Sequence, residues 1–404
     1  MKILGIETSC DETAVCLIEA SGTGPADFAY KVLGNALYSQ VAIHAPYGGV
    51  FPNLAKREHA KNLVPLMKQT LEQASALKRR DGKAVAPHHP QHIGLSYVSE
   101  MLTREPELLE QLTVFLAEYG KPDIDAIAVT AGPGLEPALW VGVNFARALN
   151  LAWDIPIVAV NHMEGHIMMS MVENGHMKEF DYPVLSLLIS GGHTELVLSK
   201  EPPSHEASAG HVQYERIGET RDDAVGEAFD KVARLLDLPY PGGPEISRLA
   251  AQARNVGFTK SHIAFTPPML HSGDYDFSFS GIKTEVRKLV EHLKPLDDET
   301  KIQIARAFED AVATVLVTKT IKAAEEYGVQ TVLVGGGVSA NTFIRQRLAE
   351  ALADTDIKLL IPPPDLATDN AIMIALPGYF HAIKNDFADP SALRANGNLK
   401  LVSK

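Results

Sequence analysis

The stretch Ile3-Leu-Gly-Ile-Glu-Thr-Ser-Cys-Asp-Glu-Thr-Ala-Val-Cys-Leu-Ile18 runs as an apolar strand, a small polar turn ending in threonine, and a second apolar strand. That is a hairpin pattern. The same pattern returns in the other half as Val184-Leu-Ser-Leu-Leu-Ile-Ser-Gly-Gly-His-Thr-Glu-Leu-Val-Leu198. A second pair of segments follows the first. Ala126-Ile-Ala-Val-Thr-Ala-Gly-Pro-Gly-Leu135 precedes a helical pattern from Ala138 to Leu149, and Thr331-Val-Leu-Val-Gly-Gly-Gly-Val-Ser-Ala-Asn341 precedes another from Thr342 to Ala353. Both read as strand, glycine-rich turn and helix, which aims backbone N–H groups and a helix N-terminus at an anion.

Two halves that begin alike and continue alike predict a duplicated lobe. The expected fold class is α/β: two duplicated RNase H-like lobes of the actin, sugar-kinase and Hsp70 (ASKHA) type with a nucleotide cleft between them. The expected limits are 1–160 for the N-terminal lobe, 161–365 for the C-terminal lobe, and 366–404 for a C-terminal helix closing the cleft and a loose tail. Asp365 to Ala375 reads as the start of that helix, after Pro362-Pro-Pro364. An insertion at about 75–120 holds the basic run Lys78-Arg-Arg-Asp-Gly-Lys83 and the histidines His88, His89 and His92, and ends in a helix with leucines at 108, 109, 112 and 116. Prolines flank those histidines and no helix fixes their spacing, so a solvated loop is the expectation there, as it is for the basic run. Glu201 to Gly210 reads as another loop.

Composition sets the frame. At 404 residues the chain has room for two cores, since one rarely grows past about 250 to 300 residues. With 46% hydrophobic and 22% charged residues it is ordinary globular protein. It contains no apolar run of the roughly 18 residues that suggest a membrane span. Glu7 interrupts the N-terminal strand too early for a signal peptide. Cys10 and Cys16 alone make neither a disulfide scaffold nor a CxxC motif, which suits a reducing cytoplasm. A net charge of −13 argues against a protein that coats nucleic acid by bulk charge, and leaves room for a local basic patch.

His162-Met-Glu-Gly-His166 follows the apolar run Ile155 to Val160. On a helix, histidines four apart share a face one turn apart, close enough to bind one metal, or simply to cap and hydrogen-bond at a strand-to-helix junction. The string is not the zinc-peptidase H-E-x-x-H, because Glu164 sits two positions after His162 and is turned about 200° from it.

The motifs Ile6 to Thr13, Tyr47-Gly-Gly-Val50 with Arg57-Glu-His59, Gly132 to Leu135, Asn161 to His166, Ser190-Gly-Gly-His-Thr194 and Asp222 to Lys231 occur in this order, and so do Tyr240-Pro-Gly-Gly-Pro244, Asp276 to Lys283, Gly335 to Asn341 and Thr368-Asp-Asn-Ala371. With them the chain resembles the TsaD family, bacterial tRNA N6-adenosine threonylcarbamoyltransferases formerly labelled O-sialoglycoprotein endopeptidases. The resemblance covers both lobes and omits the insertion and the tail. It implies transfer of threonylcarbamoyl from threonylcarbamoyl-AMP to N6 of the adenosine beside the anticodon (position 37) in tRNAs reading codons that begin with A. It implies one divalent metal, Fe2+ before Zn2+, on His162, His166 and Asp369. It places the donor on Leu188, Ile189, Ser190, Gly191 and Gly192, with Asp230, Gly243 and Asn341. Read structurally, those last three are a buried cap, a turn glycine and a helix N-cap. Ser247 stands where many members carry an aspartate. Asp11 or Glu12, in the first hairpin turn, is the candidate proton acceptor, and otherwise only solvates that turn. The expected partners are tRNA, a paralogous TsaB-like subunit and a TsaE-like P-loop ATPase, with no membrane.

Three rival readings are weaker. A small-molecule kinase of the same fold needs a carboxylate base and metal-bound ATP, which the histidine pair does not fit. A nucleotide-switch binding module of the actin or Hsp70 kind has no peptide-binding domain here. A metallopeptidase is disfavoured by the position of Glu164.

Overall fold

The computed structural model describes residues 1–80, 98–200, 212–255 and 263–401. His88, His89, His92 and the loop expected at 201–210 lie outside them. The chain divides into two compact units, Met1–Ala42, Val50–Lys178 and Asp369–Leu401 in the first, Ile43–Gly49 and Glu179–Thr368 in the second.

The first unit is built on strands β1 (Lys2–Glu7), β2 (Glu12–Ser21), β3 (Ala29–Ser39), β4 (Ala126–Gly132), β5 (Ile157–Asn161), β6 (Val172–Glu173) and β7 (His176–Met177). They form one seven-stranded sheet in the order β5-β4-β1-β2-β3-β7-β6. β1 and β2 pair antiparallel from Lys2↔Glu19 to Glu7↔Ala14, and β1 pairs parallel with β4. The second unit holds β8 (Val184–Ile189), β9 (Thr194–Lys200), β10 (Gln213–Glu219), β11 (Thr331–Gly335) and β12 (Lys358–Leu360), ordered β10-β9-β8-β11-β12. An antiparallel meander with two parallel strands beside its first strand occurs in each sheet. The expected duplication is therefore present over five strands of each sheet, with β6 and β7 extra in the first.

Side chains alternate along β1. Leu4 and Ile6 join a core with Leu63 and Met67 of α1 (Pro52–Gln73), Leu108 and Leu112 of α2 (Pro106–Glu118), and Leu139 and Phe145 of α3 (Glu136–Trp153). The opposite face takes α4 (His162–Met171) and α10 (Ile372–Ile383). Gly5 and Gly378 bring α10 close: a Cβ on Gly5 would lie 2.5 Å from Ala371 O, and one on Gly378 2.3 Å from Ala128 Cβ.

In the second unit a core of strand residues such as Leu185, Leu187 and Val334 packs against α5 (Val225–Leu235), α6 (Gly242–Asn255), α7 (Ser280–Leu293), α8 (Asp298–Glu326) and α9 (Thr342–Leu352). No helix among the described residues is long and apolar enough to cross a membrane.

Three expectations change. The lobe limits move from 160/161 and 365/366, because α4 and α10 pack on the first sheet and on each other. Residues 367–371 are irregular and the helix begins at Ile372. The tail is anchored rather than loose: Ala388 N donates to Ile157 O at 2.8 Å, Asn396 N to Ala131 O at 2.8 Å, and Leu393 and Ala395 are buried. The described part of the basic run is solvated as expected, with Arg79 exposed and 3.1 Å from Glu118, and Arg80 Nε donating to Tyr119 O at 3.0 Å.

Candidate functional site

The fold brings three residues from distant parts of the chain together within the first unit. Asn161 ends β5 and caps α4, its Oδ1 accepting from Met163 N at 2.9 Å, so His162 and His166 fall in the first turns of the helix. Asp369 comes from the irregular segment before α10, where Asn370 Oδ1 accepts from Met373 N at 3.0 Å. Both imidazoles are buried, and ligand atoms of His162, His166 and Asp369 all lie within 4.8 Å of one another. His162 Nε2 is 3.5 Å and His166 Nε2 3.3 Å from Asp369 Oδ1. Ligands at a tetrahedral centre with bonds of about 2.1 Å stand about 3.4 Å apart, so the trio fits one cation. His166 Nε2 is buried and makes no hydrogen bond among the described residues. A buried nitrogen left in this way is accounted for when its lone pair binds a metal.

Charge around the trio follows from burial and proximity. Burial disfavours a charged His162, but the carboxylates of Asp369 and Glu7 outweigh it and raise the pKa to about 10. Burial likewise opposes ionisation of Asp369, yet the neighbouring His162 charge pulls it well below the usual carboxylate range. Glu7 is lowered through the same contest. In His166 burial prevails and the pKa falls. A site that holds one imidazole protonated so firmly is one that stabilises positive charge.

Glu7 was not among the residues expected from the sequence. It ends β1 wholly buried, with Oε2 3.2 Å from His162 Nδ1. Its signals were an acidic residue closing an otherwise apolar strand and its place in the motif Ile6 to Thr13. Glu164, the residue that suggested peptide hydrolysis, is engaged elsewhere: its Oε2 lies 3.1 Å from His381 Nε2 on α10.

Asp11 and Glu12 lie in the β1–β2 turn, Asp11 buried and Glu12 opening β2. Burial, then the charges of Asp11 and Asp369, push Glu12 up to about 9. Buried His59 holds this turn. Its Nε2 contacts Cys10 O at 3.0 Å and its Nδ1 contacts Thr13 Oγ1 at 2.8 Å. The nearby glycine turn, expected to face an anion, is instead filled by the chain. Gly134 N donates to Gly397 O at 3.1 Å, Leu135 N donates to Ser9 O at 2.7 Å, and a Cβ on Gly132 would lie 2.0 Å from Asn396 O.

The second unit gathers the remaining expected residues. Leu188 and Ile189 are strand residues with buried side chains, so only their backbone is available to a ligand. Ser190 Oγ closes the turn by accepting from Gly192 N at 3.3 Å and His193 N at 3.1 Å. A Cβ on Gly191 or Gly192 would meet nothing within 4 Å, although the Gly191 backbone packs against Gly226, and the Gly191 amide has no hydrogen bond among the described residues. Asp230 Oδ1 accepts from Gly242 N at 2.7 Å, tying α5 to the start of α6 beside Gly243. Asn341 caps α9 through Oδ1 at 2.9 Å from Ile344 N. Its Nδ2 donates to Ser247 Oγ at 2.8 Å and to Glu309 Oε1 at 2.7 Å. The buried Glu309, held by Arg254 Nη1 at 2.6 Å, is a further residue the sequence did not flag.

The family model described as TsaD, tRNA N6-adenosine threonylcarbamoyltransferase, matches residues 31–87 and 107–376. A tRNA N6-adenosine threonylcarbamoyltransferase of Geobacillus kaustophilus (strain HTA426) is 40% identical over 402 residues, 99% of this chain and 97% of that one. One of Bacillus thuringiensis subsp. konkukian (strain 97-27) is 40% identical over 403 residues, with the same coverage of 99% and 97%. Among solved structures, full-length HypF in the phosphate- and nucleotide-bound form matches with a TM-score of 0.51 at 13% identity, over 94% of this chain and 55% of that one. That likeness concerns the fold alone, α/β with two sheets of the ASKHA type. With the family model spanning most of the sequence and relatives 40% identical from end to end, the chain belongs to the tRNA N6-adenosine threonylcarbamoyltransferase family, enzymes that act on tRNA.

Proposed function

We propose that the chain transfers the threonylcarbamoyl group of threonylcarbamoyl-AMP to N6 of adenosine 37 in tRNAs reading codons that begin with A. N6 attacks the carbamoyl carbonyl carbon, the bond from that carbon to the phosphate oxygen breaks, AMP leaves with the electron pair, and N6 gives up a proton. The product is t6A. The observation that carries the reading is the His162, His166 and Asp369 trio in a chain of this family.

His162, His166 and Asp369 would hold a divalent ion, Fe2+ in this reading and Zn2+ as the alternative, since two imidazoles and one carboxylate suit both. Such an ion supplies Lewis acidity and an anchoring charge for the donor. The adenine amine is a weak nucleophile because its lone pair is shared with the ring, so most of the work is placement. The unpaired Gly191 amide meets the donor phosphate, while Asp230 takes ribose hydroxyls. Gly243 and Asn341 border the adenine. Because the Asn341 amide is fully engaged with α9, Ser247 and Glu309, it contributes backbone and shape. Asp11 accepts the N6 proton. Glu12, protonated at neutral pH, donates a hydrogen bond.

The protein acts in the cytoplasm with a TsaB-like paralogue and a TsaE-like P-loop ATPase, and its own charge of −13 leaves tRNA to a local basic surface or to a partner. The test is to incubate the purified chain with threonylcarbamoyl-AMP, tRNA and both partners and to analyse the nucleosides by mass spectrometry. One AMP is expected per t6A formed. AMP release with no modified adenosine would sink the proposal.

A further inference from the structure

Glu7 stands at the end of β1, on the face that carries Gly5 and receives α10. It has no exposure to solvent. A carboxylate buried so completely is strongly unfavourable unless its oxygens are paired. Oε1 accepts from the Ser9 amide, and Oε2 accepts from Thr130 Oγ1 at 2.6 Å. The remaining neighbour of Oε2 is His162 Nδ1 at 3.2 Å. A carboxylate can only accept, so the proton of that contact belongs to Nδ1. Without an ion His162 carries a proton on each nitrogen, and a cation that displaces the Nε2 proton finds Nδ1–H already held by Glu7 and the lone pair on Nε2. That is the nitrogen facing Asp369 Oδ1, at 3.5 Å.

We propose that Glu7 is the positioning residue of the metal site: anchored by Thr130 and the Ser9 amide, it selects the Nδ1–H tautomer of His162 and aims Nε2 at the cation. With Asp369 it also gives the site two negative charges beside two imidazoles, the balance a divalent ion neutralises. Glutamine in its place would keep the length and the Ser9 contact, but its NH2 cannot accept from both Thr130 and His162. The tautomer of His162 would then be unguarded. This inference rests on the metal-site reading given above.

The test uses full-length protein stripped of metal by chelation. Zn2+ affinity is measured by competition with a chromophoric chelator, and Co2+ is added separately to record its visible ligand-field bands. In Glu7→Gln, Zn2+ binding should weaken by about 10- to 100-fold, and the Co2+ bands should shift, while circular dichroism reports an intact fold. Thr130→Val keeps the carboxylate and removes one anchor. It should weaken Zn2+ several-fold, and it serves as the test should Glu7→Gln fail to fold. His162→Ala should not retain the ion. Wild-type affinity and wild-type Co2+ bands in the folded Glu7 or Thr130 variant, with His162→Ala unable to bind, would overturn the role of Glu7 alone. Wild-type affinity in His162→Ala would overturn the metal site and this inference with it.

Discussion

Glu12 is a single residue whose environment makes a measurable statement. Burial first, then the charges of Asp11 and Asp369, raise its pKa from 4.5 to about 9. Between those two values the folded chain holds a proton that the unfolded chain has lost, so its contribution to stability is complete below 4.5 and declines as pH rises towards 9. Glu12→Gln removes that slope. In metal-stripped protein the variant should match wild type near pH 5 and exceed it near pH 8 by on the order of a few kcal/mol, read from denaturant melts at each pH. Parallel stability curves for the two proteins would mean that Glu12 ionises as it does in water. That raised pKa is not legible in Cys-Asp-Glu-Thr as a string, because adjacent carboxylates in a turn look alike until the fold surrounds them.

At the scale of elements, the helix carrying the histidines is held by the helix that follows Asp369. His381 on α10 reaches Glu164 on α4 at 3.1 Å and Asp386 at 2.7 Å. Burial alone would lower the His381 pKa, but these two carboxylates raise it from 6.5 to about 9. The ion pair therefore contributes fully below 6.5 and is lost as pH rises through 9. His381→Gln should cost roughly 1 kcal/mol at pH 7, with the difference closing above pH 9. A deficit that stays constant with pH would assign the effect to packing alone. Some of this was visible in the residues. Apolar runs broken by a short polar turn in Ile3 to Ile18 and Val184 to Leu198 are a local property, and both hairpins formed in register. His162 and His166 are local too, four residues apart on one helix. Asp369 comes from far downstream, and the family resemblance alone brought it to them. Glu7 escaped as a site residue because its partner His162 is on another element. The glycine turn after β4 misled for a related reason: the groups that fill it, Ser9, Asn396 and Gly397, come from the two extremes of the chain.

At the scale of the whole molecule, each unit has its own core, with the metal trio wholly in the first and the expected donor residues wholly in the second. Zn2+ at about a hundred times its dissociation constant should stabilise the unit that binds it by about 2.7 kcal/mol. Amide hydrogen exchange followed by mass spectrometry should then show slowing in β1, α4 and the segment around Asp369, with α5 and α6 unchanged. Equal slowing in all of them from Zn2+ alone would refute that separation. The first unit is also discontinuous, since Asp369–Leu401 returns to it after Glu179–Thr368 has built the other. During synthesis, which runs from the N-terminus, everything needed for the second sheet leaves the ribosome before the first sheet receives its last helix. Until residue 369 has emerged, the two histidines wait without their carboxylate, and the nascent protein has no complete place to load an ion.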